Sequence, residues 1–291
     1  MTGASQLRQL LAGDELIVAP GVYDGVSAAL VGKLGFSAAY MTGAGVVASA
    51  YGLPDIGLAT LTEMAERARI LAGLLEIPLI ADADTGYGSP INVVRTVREY
   101  ERAGVAAIQL EDQTFPKRCG HLAGKEVIGA DQFALSLQAA VEARRDPDTV
   151  IVARTDARAP LGLEEAIARA NRYASIGADV IFVEAPRSEE EIEQIAAHVD
   201  TPLLLNIVPG GLTPELDHAR LASLGYRIAI YPGVLVMALV PAAIEALSAL
   251  RGRSLSASEG AAAVPGPEAF FDLFGLSAWN ELGRRYDDHQ E

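Results

Sequence analysis

The chain of 291 residues is 50% hydrophobic and 21% charged, a composition that supports a large core and excludes an intrinsically disordered protein. Its formal net charge of −15 argues against nucleic-acid binding through a general positive field. Apolar runs of about ten residues are too short to span a membrane, no signal-peptide pattern opens the chain, and a single cysteine permits no intramolecular disulfide, so we expect a cytoplasmic protein.

Eight apolar segments, each ending in polar residues, predict eight β-strands. In chain order they lie within residues 15–24, 33–43, 77–86, 102–112, 148–157, 175–185, 201–210 and 223–233. Near-continuous apolar strands are typical of a parallel sheet that is buried on both faces. Helical patterns separate the strands, the clearest of them at residues 61–75, 92–103, 163–175 and 189–199. This alternation predicts an α/β fold, a (β/α)8 TIM barrel with a C-terminal helical extension.

The barrel is predicted to occupy residues 1–250, and the rest of the chain, residues 251–291, is predicted to form a linker and C-terminal helices. The linker, residues 251–268, is rich in small residues, proline and glycine. After it, large apolar side chains follow an amphipathic helical pattern: Phe270, Phe271, Phe274, Leu276, Trp279 and Leu282. A helix this apolar needs a partner surface, so we expect it to pack on its own barrel or on a neighbouring subunit.

Polar residues end most of the predicted strands, which is where barrels of this class place their active sites. The candidates are Asp24, Thr42, Asp82, Asp84, Glu111, Asp112, Arg154, Asp156, Glu184 and Asn206. An alternative is that several of them only cap the following helix. For Asp24, Asp112 and Asp156 capping and function are equally good interpretations.

Asp82 and Asp84 predict a metal site. Residues two apart in a strand face the same side, so both carboxylates are expected to point into one space. Two close carboxylates repel each other unless a proton or a cation lies between them. Such a pair fits Mg²⁺, which keeps several waters and accepts substrate oxygens, and Glu111 at the end of the next strand is a candidate to bind one of those waters.

The sole cysteine, Cys119, lies in the segment Lys117-Arg118-Cys119-Gly120-His121. Two cations and a histidine beside a thiol are expected to lower its pKa and to let it move a proton during turnover. The alternative is a buried, inert cysteine, which fits poorly with a polar segment that contains glycine. A basic loop above an acidic metal site also predicts a lid that adds positive charge around an anionic substrate.

These motifs resemble the isocitrate lyase/phosphoenolpyruvate mutase superfamily. The resemblance rests on KRCGH after LEDQ, on the DADTGYG segment, and on the strand ends ARTDA, VEA and LLN, and it covers nearly the whole chain. Within the superfamily the chain is most similar to the group of methylisocitrate lyases and carboxyvinyl-carboxyphosphonate phosphorylmutases. The resemblance implies a barrel that depends on Mg²⁺, or on Mn²⁺ in its place, and a last helix exchanged between the subunits of a homotetramer, a dimer of dimers.

The resemblance also implies a role for each matching residue, around a small anionic carboxylate substrate. Asp82 and Asp84 hold the metal, and Glu111 lies near its waters. Cys119 protonates the departing enolate, supported by Lys117 and His121. The substrate-binding residues are Thr42, Gly43, Ala44, Asp55, Gly120, Arg154, Glu184 and Asn206.

Three segments depart from the methylisocitrate lyase pattern, namely residues 206–211, 231–237 and 265–268. The first lacks the Thr-Glu-Phe-Gly that follows Asn-Ile in those lyases, and the other two lack the arginines that hold the remote carboxylates of a tricarboxylic acid. Apolar residues such as Val208 and Leu235 stand in these segments instead. We therefore expect a lyase that cleaves a carbon–carbon bond of a smaller 2-hydroxy or 2-oxo acid through an enolate. Two alternatives remain: a phosphonomutase or phosphonate hydrolase, which acts on C–P bonds, and a catalytically silent barrel kept for binding or assembly.

Overall fold

Eight parallel strands form a closed barrel in a computed structural model that describes residues 1–120, 124–251 and 276–287. Each strand pairs with the next along the chain, and the last pairs with the first. The strands are β1 (Ile17–Val22), β2 (Ala39–Met41), β3 (Leu79–Asp82), β4 (Ala107–Glu111), β5 (Val150–Thr155), β6 (Val180–Val183), β7 (Leu203–Asn206) and β8 (Tyr226–Tyr231). All eight lie within the predicted segments, so the predicted (β/α)8 barrel is confirmed.

Helices precede, separate and follow the strands along the chain. They are α1 (Gly3–Ala12), α2 (Gly25–Lys33), α3 (Gly43–Val46), α4 (Leu61–Leu74), α5 (Pro90–Ala103), α6 (Ala130–Ala143), α7 (Arg158–Leu161), α8 (Leu163–Ile176), α9 (Glu189–His198), α10 (His218–Ser223), α11 (Val234–Arg251) and α12 (Leu276–Asp287). A π-helical turn, Val47–Tyr51, follows α3 directly. The four helical segments predicted from periodicity correspond to α4, α5, α8 and α9.

The inward-facing residues of the barrel change from apolar to polar along the strands. Near the start of the strands, Val150, Val152 and Ile228 pack in one buried cluster, which Leu7 of α1 joins. At the other end of neighbouring strands, Glu111 of β4 pairs in register with Arg154 of β5. Because inward positions recur at every second residue, one strand supplies both core and site. The carboxyl ends of the strands therefore form the polar end of the barrel.

The seam between the first and the last strand is unusually close. A Cβ atom on Gly21 of β1 would lie 2.1 Å from the carbonyl oxygen of Pro232, just after β8. No backbone atom can give way by that much without moving the strand. Glycine is therefore required for the two strands to close the barrel at this point.

The described chain divides into two compact units, residues 1–236 and residues 237–291. Helix α11 has 18 residues, longer than the apolar runs noted in the sequence, because neither Pro241 nor Glu245 ends it. By length and composition alone it could cross a membrane, and one helix of this kind is weak evidence for a span. The predicted barrel boundary at residue 250 and the packing of the tail remain predictions. Most of the predicted linker and Phe270, Phe271 and Phe274 lie outside the described residues.

Candidate active site

Asp82 and Asp84 lie together at the polar end of the barrel, although the expected reason is wrong. Strand β3 ends at Asp82, so the pleat of a strand does not align the pair. Instead Asp84 adopts a left-handed backbone conformation, with φ of 48°, and its N–H donates to Asp82 Oδ1 at 3.0 Å. Left-handed geometry at a non-glycine residue is uncommon and clusters at functional sites. The turn, rather than the strand, brings the two carboxylates into one space.

Two buried residues that sequence reasoning missed orient Asp82. Gln109 Nε2 donates to Asp82 Oδ1 at 3.3 Å, and the Tyr40 hydroxyl donates to Gln109 Oε1 at 3.0 Å. Burial raises the pKa of Tyr40 well above its ordinary value, so the phenol stays a donor and fixes the orientation of the amide. With Oδ1 engaged, Oδ2 of Asp82 is directed elsewhere: it would lie 2.6 Å from a Cβ on Gly43.

Lys117 joins the aspartate pair to a third carboxylate. Its Nζ lies 2.8 Å from Asp84 Oδ1 and 2.5 Å from Asp55 Oδ1, and the side chain is only 4% exposed. Burial alone would lower the pKa of Lys117, but the carboxylates, with Asp84 first, raise it well above its ordinary value. Lys117 is therefore a buried cation, and it brings Asp55 into the site.

Arg154 is held among three carboxylates. Its guanidinium pairs with Asp156 at 2.8 Å, with Glu111 at 3.2 Å and with Glu184 at 3.3 Å, and it lies above the ring of Phe182. Glu111 Oε1 is buried and has no hydrogen-bond partner among the described residues. Burial raises the pKa of Glu111 well above its ordinary value, against the opposing charge of Arg154. This part of the site thus combines a rigidly held guanidinium with a carboxyl group that binds a proton more readily than an ordinary glutamate.

Glu184 also connects to the next strand. Asn206 at the end of β7 directs Nδ2 toward Glu184 Oε2 at 3.2 Å. Glu184 itself is completely buried. The strand ends of β4, β5, β6 and β7 therefore converge on Arg154 through side chains that the sequence placed in the site.

The segment that carries Cys119 folds back over the barrel end. The N–H of Cys119 donates to the carbonyl of Asp55 at 3.2 Å, and the side chain of Gln113 bonds both to the N–H of Arg118, at 2.9 Å, and to its carbonyl, at 2.8 Å. A Cβ on Gly120 would lie 2.5 Å from Arg154 Nη2. The loop therefore lies directly over Arg154. His121 falls outside the described residues.

Thr42, Gly43 and Ala44 form the turn that follows β2. Thr42 caps α3, where its side chain accepts the N–H of Gly45 at 3.2 Å. The amides of Gly43 and Ala44 come before the first intrahelical acceptor, so no intrahelical hydrogen bond uses them. Gly43 also lies against Asp82, which leaves two backbone donors beside the aspartate pair.

The structure decides between helix capping and a role in the site for Asp24, Asp112 and Asp156. Asp24 caps α2, since its carboxylate accepts the N–H of Ser27 at 2.8 Å within a capping box. Asp112 is instead buried and accepts from Thr155, Arg169 and Tyr173, besides the N–H of Asp156. Asp156 pairs with Arg154 and with Lys125. Capping is therefore confirmed for the first of the three and wrong for the other two.

The residues around Asp82 fit a magnesium ion. In the described ranges no group of three or more His, Cys, Asp and Glu side chains forms a ready cage. Magnesium does not require one, because it is commonly held by one or two carboxylates together with waters and substrate oxygens. Glu111 Oε1, which has no hydrogen-bond partner among the described residues, and Asp82 Oδ2, which faces the glycine Gly43 rather than a side chain, match that demand.

Known proteins resemble this chain over most or nearly all of its length. The family model for phosphoenolpyruvate phosphomutase matches residues 7–251. A 2,3-dimethylmalate lyase of Eubacterium barkeri is 45% identical over 286 residues, which cover 98% of this chain and 99% of that protein. A 2-methylisocitrate lyase of Aeropyrum pernix is 47% identical over 226 residues, which cover 78% of this chain and 72% of that protein.

Solved structures also match the fold of this chain over nearly its full length. Oxaloacetate acetylhydrolase in complex with 3,3-difluorooxalacetate superimposes with a TM-score of 0.91 at 42% identity, covering 98% of this chain and 97% of that one. Phosphonopyruvate hydrolase in complex with oxalate and Mg²⁺ superimposes with a TM-score of 0.87 at 32% identity, covering 98% and 99%. The two lyases and oxaloacetate acetylhydrolase thus have higher sequence identity to this chain than phosphonopyruvate hydrolase has.

Proposed function

The chain belongs to the phosphoenolpyruvate phosphomutase family, and we propose that it cleaves a small, alkyl-substituted 2-hydroxy dicarboxylate at a magnesium site formed by Asp82 and Asp84. It is a carbon–carbon lyase, like its 2,3-dimethylmalate lyase and 2-methylisocitrate lyase relatives. That activity was the first of the three expected from the sequence. The higher sequence identity to these lyases favours this activity over C–P chemistry and over a silent barrel.

The observation that carries the proposal is the position of Arg154 beneath the Cys119 loop. Its guanidinium is fixed by Glu111, Asp156 and Glu184. A guanidinium held in this way is a fixed positive charge that attracts a substrate carboxylate. We assign to Arg154 one carboxylate of the substrate, and to the free amides of Gly43 and Ala44 the oxygens at its 2-position.

Asp82 and Asp84 are the residues that would hold Mg²⁺, or Mn²⁺ in its place, with Glu111 near its waters. A bound divalent cation would offset the negative charge that develops at the reacting oxygens. Lys117 supplies a second positive charge, since it bonds to Asp84 and to Asp55 from within the protein. Together they let a chain with a net charge of −15 bind a dianion.

Cleavage requires one proton to leave the substrate and one to arrive. The hydroxyl proton at C2 passes to the ionised carboxylate of Glu111, whose Oε1 makes no hydrogen bond to any described residue. The C2–C3 bond then breaks, C2 becomes the carbonyl carbon of a 2-oxo acid, and the electron pair stays with C3 as an enolate. The thiol of Cys119 donates its proton to C3, with His121 and Lys117 in support. The loop above Arg154 excludes water while the enolate exists.

Substrate preference should follow the apolar residues that stand where tricarboxylate-cleaving relatives place polar or cationic side chains. Val208 is half-buried after β7, and Leu235 and Val236 pack against the barrel core. Each missing charge-assisted hydrogen bond should cost about 10- to 100-fold against a substrate with a third carboxylate. A dialkyl malate is therefore expected to show a higher kcat/KM than methylisocitrate.

Release of the 2-oxo acid measures this preference in one assay for both substrates. Malate without alkyl groups is the matched control, because it keeps both carboxylates and removes only the apolar contacts. It should be cleaved less efficiently than the dialkyl compound. A kcat/KM for methylisocitrate above that of every dicarboxylate tested would show that the pocket is built for a tricarboxylate.

Metal binding should depend on the protonation of Asp82. Burial first, and then the charge of Asp84, raise the pKa of Asp82 to about 6. The folded-state pKa exceeds that of the unfolded chain, so this group stabilises the metal-free fold at low pH and loses that contribution as the pH rises through about 6. A cation favours the ionised carboxylate. The rise in melting temperature on adding Mg²⁺ should therefore be small below pH 6 and larger above it.

Thermal melts with and without Mg²⁺ on either side of pH 6 test this directly. The same melts with Ca²⁺ distinguish a specific site from general charge screening, since Ca²⁺ prefers a larger site with more ligands. An equal rise in melting temperature at both pH values would contradict the assignment of Asp82.

We also propose a cytoplasmic homotetramer, a dimer of dimers that exchanges its last helices. A reducing compartment keeps Cys119 as the thiol that the reaction needs. In α11 the side chains of Ile244, Leu247 and Leu250 share one face and are each more than half exposed, and such a face favours a partner. The molar mass in solution, measured by light scattering, decides between this assembly and a monomer.

A further inference from the structure

Lys125 is a buried cation that the chemistry described so far does not use. It is one of only three lysines in the chain, and its side chain is 1% exposed. The Nζ atom donates to the carbonyl of Gly120 at 2.5 Å and to Asp156 Oδ1 at 2.7 Å. Burying an ammonium group is costly unless it is paired and hydrogen-bonded. Both requirements are met here by groups that belong to the active site.

The carbonyl that Lys125 holds belongs to the residue directly after Cys119. The backbone of Gly120 lies so close to the site that an added Cβ would come within 2.5 Å of Arg154 Nη2 and of the carboxyl carbon of Glu184. On the other side, the N–H of Cys119 donates to the carbonyl of Asp55 at 3.2 Å. The backbone around Cys119 is therefore held from two directions, and Lys125 provides one of them.

The second partner of Lys125 also orients Arg154. Asp156 accepts from Arg154 Nε at 2.8 Å and from Nη2 at 3.0 Å. Burial would raise the pKa of Asp156, but Arg154 and Lys125 lower it below its ordinary value. Asp156 is thus ionised, and this one carboxylate fixes both the guanidinium assigned to the substrate and the ammonium that holds the loop.

We infer that Lys125 is a positioning residue for the lyase reaction, tying the Cys119–Gly120 backbone to the carboxylate that orients Arg154. The inference rests on the proposed role of Cys119 as proton donor. Lys125 touches no reacting atom and acts through Gly120 and Asp156. Without it, the carbonyl of Gly120 is no longer tied to Asp156, while Arg154 keeps its own bonds to that carboxylate.

Lys125→Met tests this, because methionine has a similar length and cannot donate. Asp156 remains paired with Arg154, so the variant is expected to fold. Since Cys119 is the only cysteine, alkylation followed by intact mass reports on this loop alone. We expect alkylation to become about 10- to 100-fold faster, the factor associated with one charge-assisted hydrogen bond. The value of kcat should fall by a similar factor, and KM should change less.

Two further lysine variants serve as matched controls. Lys33→Met removes an exposed lysine at the end of α2 and should leave both readouts unchanged. Lys125→Arg keeps a buried donor and should restore much of the slow alkylation. The dependence of the alkylation rate on pH separates the causes: an opened loop raises the plateau of the curve, whereas a changed thiol pKa moves its midpoint.

The inference would be overturned if Lys125→Met keeps the native melting temperature and its alkylation rate and kcat both stay within twofold of the original values. If this variant does not fold, Lys125→Gln, which is too short to reach both partners, is measured in the same way with the same expectations. Alkylation needs no substrate. Faster alkylation in Lys125→Met, together with no turnover by the unaltered protein, would therefore count against the proposed function and leave the positioning role standing.

Discussion

Replacing Asp84 by alanine is expected to lower turnover by about 10³-fold or more, since a metal that offsets developing charge supplies several kcal/mol. Asp84 is 7% exposed and lies beside Asp82 at the polar end of the barrel. The fold should survive, because Lys117 keeps its bond to Asp55. Asp82 loses a repelling neighbour, so the melting temperature without metal should change little or rise. Activity across a Mg²⁺ titration and thermal melts measure the two effects.

Two further variants, Asp84→Asn and Asp131→Ala, serve as controls for this experiment. The first keeps the size of the side chain and removes only its charge, so it should resemble the alanine variant. The second removes an aspartate of α6 that is 88% exposed, and it should behave like the original protein. Full activity of the unaltered enzyme in excess chelator would exclude the metal-based mechanism altogether.

Cys119→Ser is expected to reduce kcat by about 10²- to 10⁴-fold, the usual contribution of a positioned proton donor. Serine has nearly the same size, but its hydroxyl is too weakly acidic to protonate the enolate. Because Cys119 is held through its backbone, by the bond of its N–H to Asp55, the loop should keep its position in the variant. Substrate affinity should therefore change much less than kcat. Steady-state kinetics with the preferred dicarboxylate separate the two quantities.

Alkylation of the unaltered enzyme is the companion measurement. Bound substrate should slow the reaction of Cys119 with an alkylating agent, since the closed loop shields the thiol. Cys119→Ala should lose as much activity as the serine variant if proton donation is the role. A serine variant with near-normal kcat would mean that the residue serves packing only.

The sequence predicted the barrel well because the signals for it are local. Each strand is a short apolar run, and parallel pairing in chain order follows from the alternation with helices. Helix α11 is not among the helices predicted from periodicity, and its 18 residues continue past Pro241 and Glu245, which interrupt the apolar run. Whether a helix continues past such residues depends on its backbone hydrogen bonds, which cannot be read from amino-acid composition.

The site was predicted only as far as motifs and strand ends allowed. Asp82, Asp84 and Arg154 stand where strands end, and the structure brings them near one another. Gln109 and Lys125 were missed, because their importance lies in what they touch in three dimensions. A glutamine inside an apolar strand and a lysine six residues after Cys119 are weak signals alone. Of the two, only Gln109 carries a signal that sequence reasoning could use, because a polar side chain in the middle of an apolar strand suggests a hydrogen-bonding role.

The seam at Gly21 has a consequence for how the protein is made. Ile17 of β1 pairs with Ile228 of β8. The first strand to be synthesised can therefore complete its pairing only after the last strand has left the ribosome. Until then β1 and β7 both present unpaired edges, which are templates for joining other chains. Closure also admits no side chain between Gly21 and Pro232. The nascent chain is therefore most prone to aggregate just before residue 226 emerges, and a chaperone that shields open sheet edges would matter most at that moment.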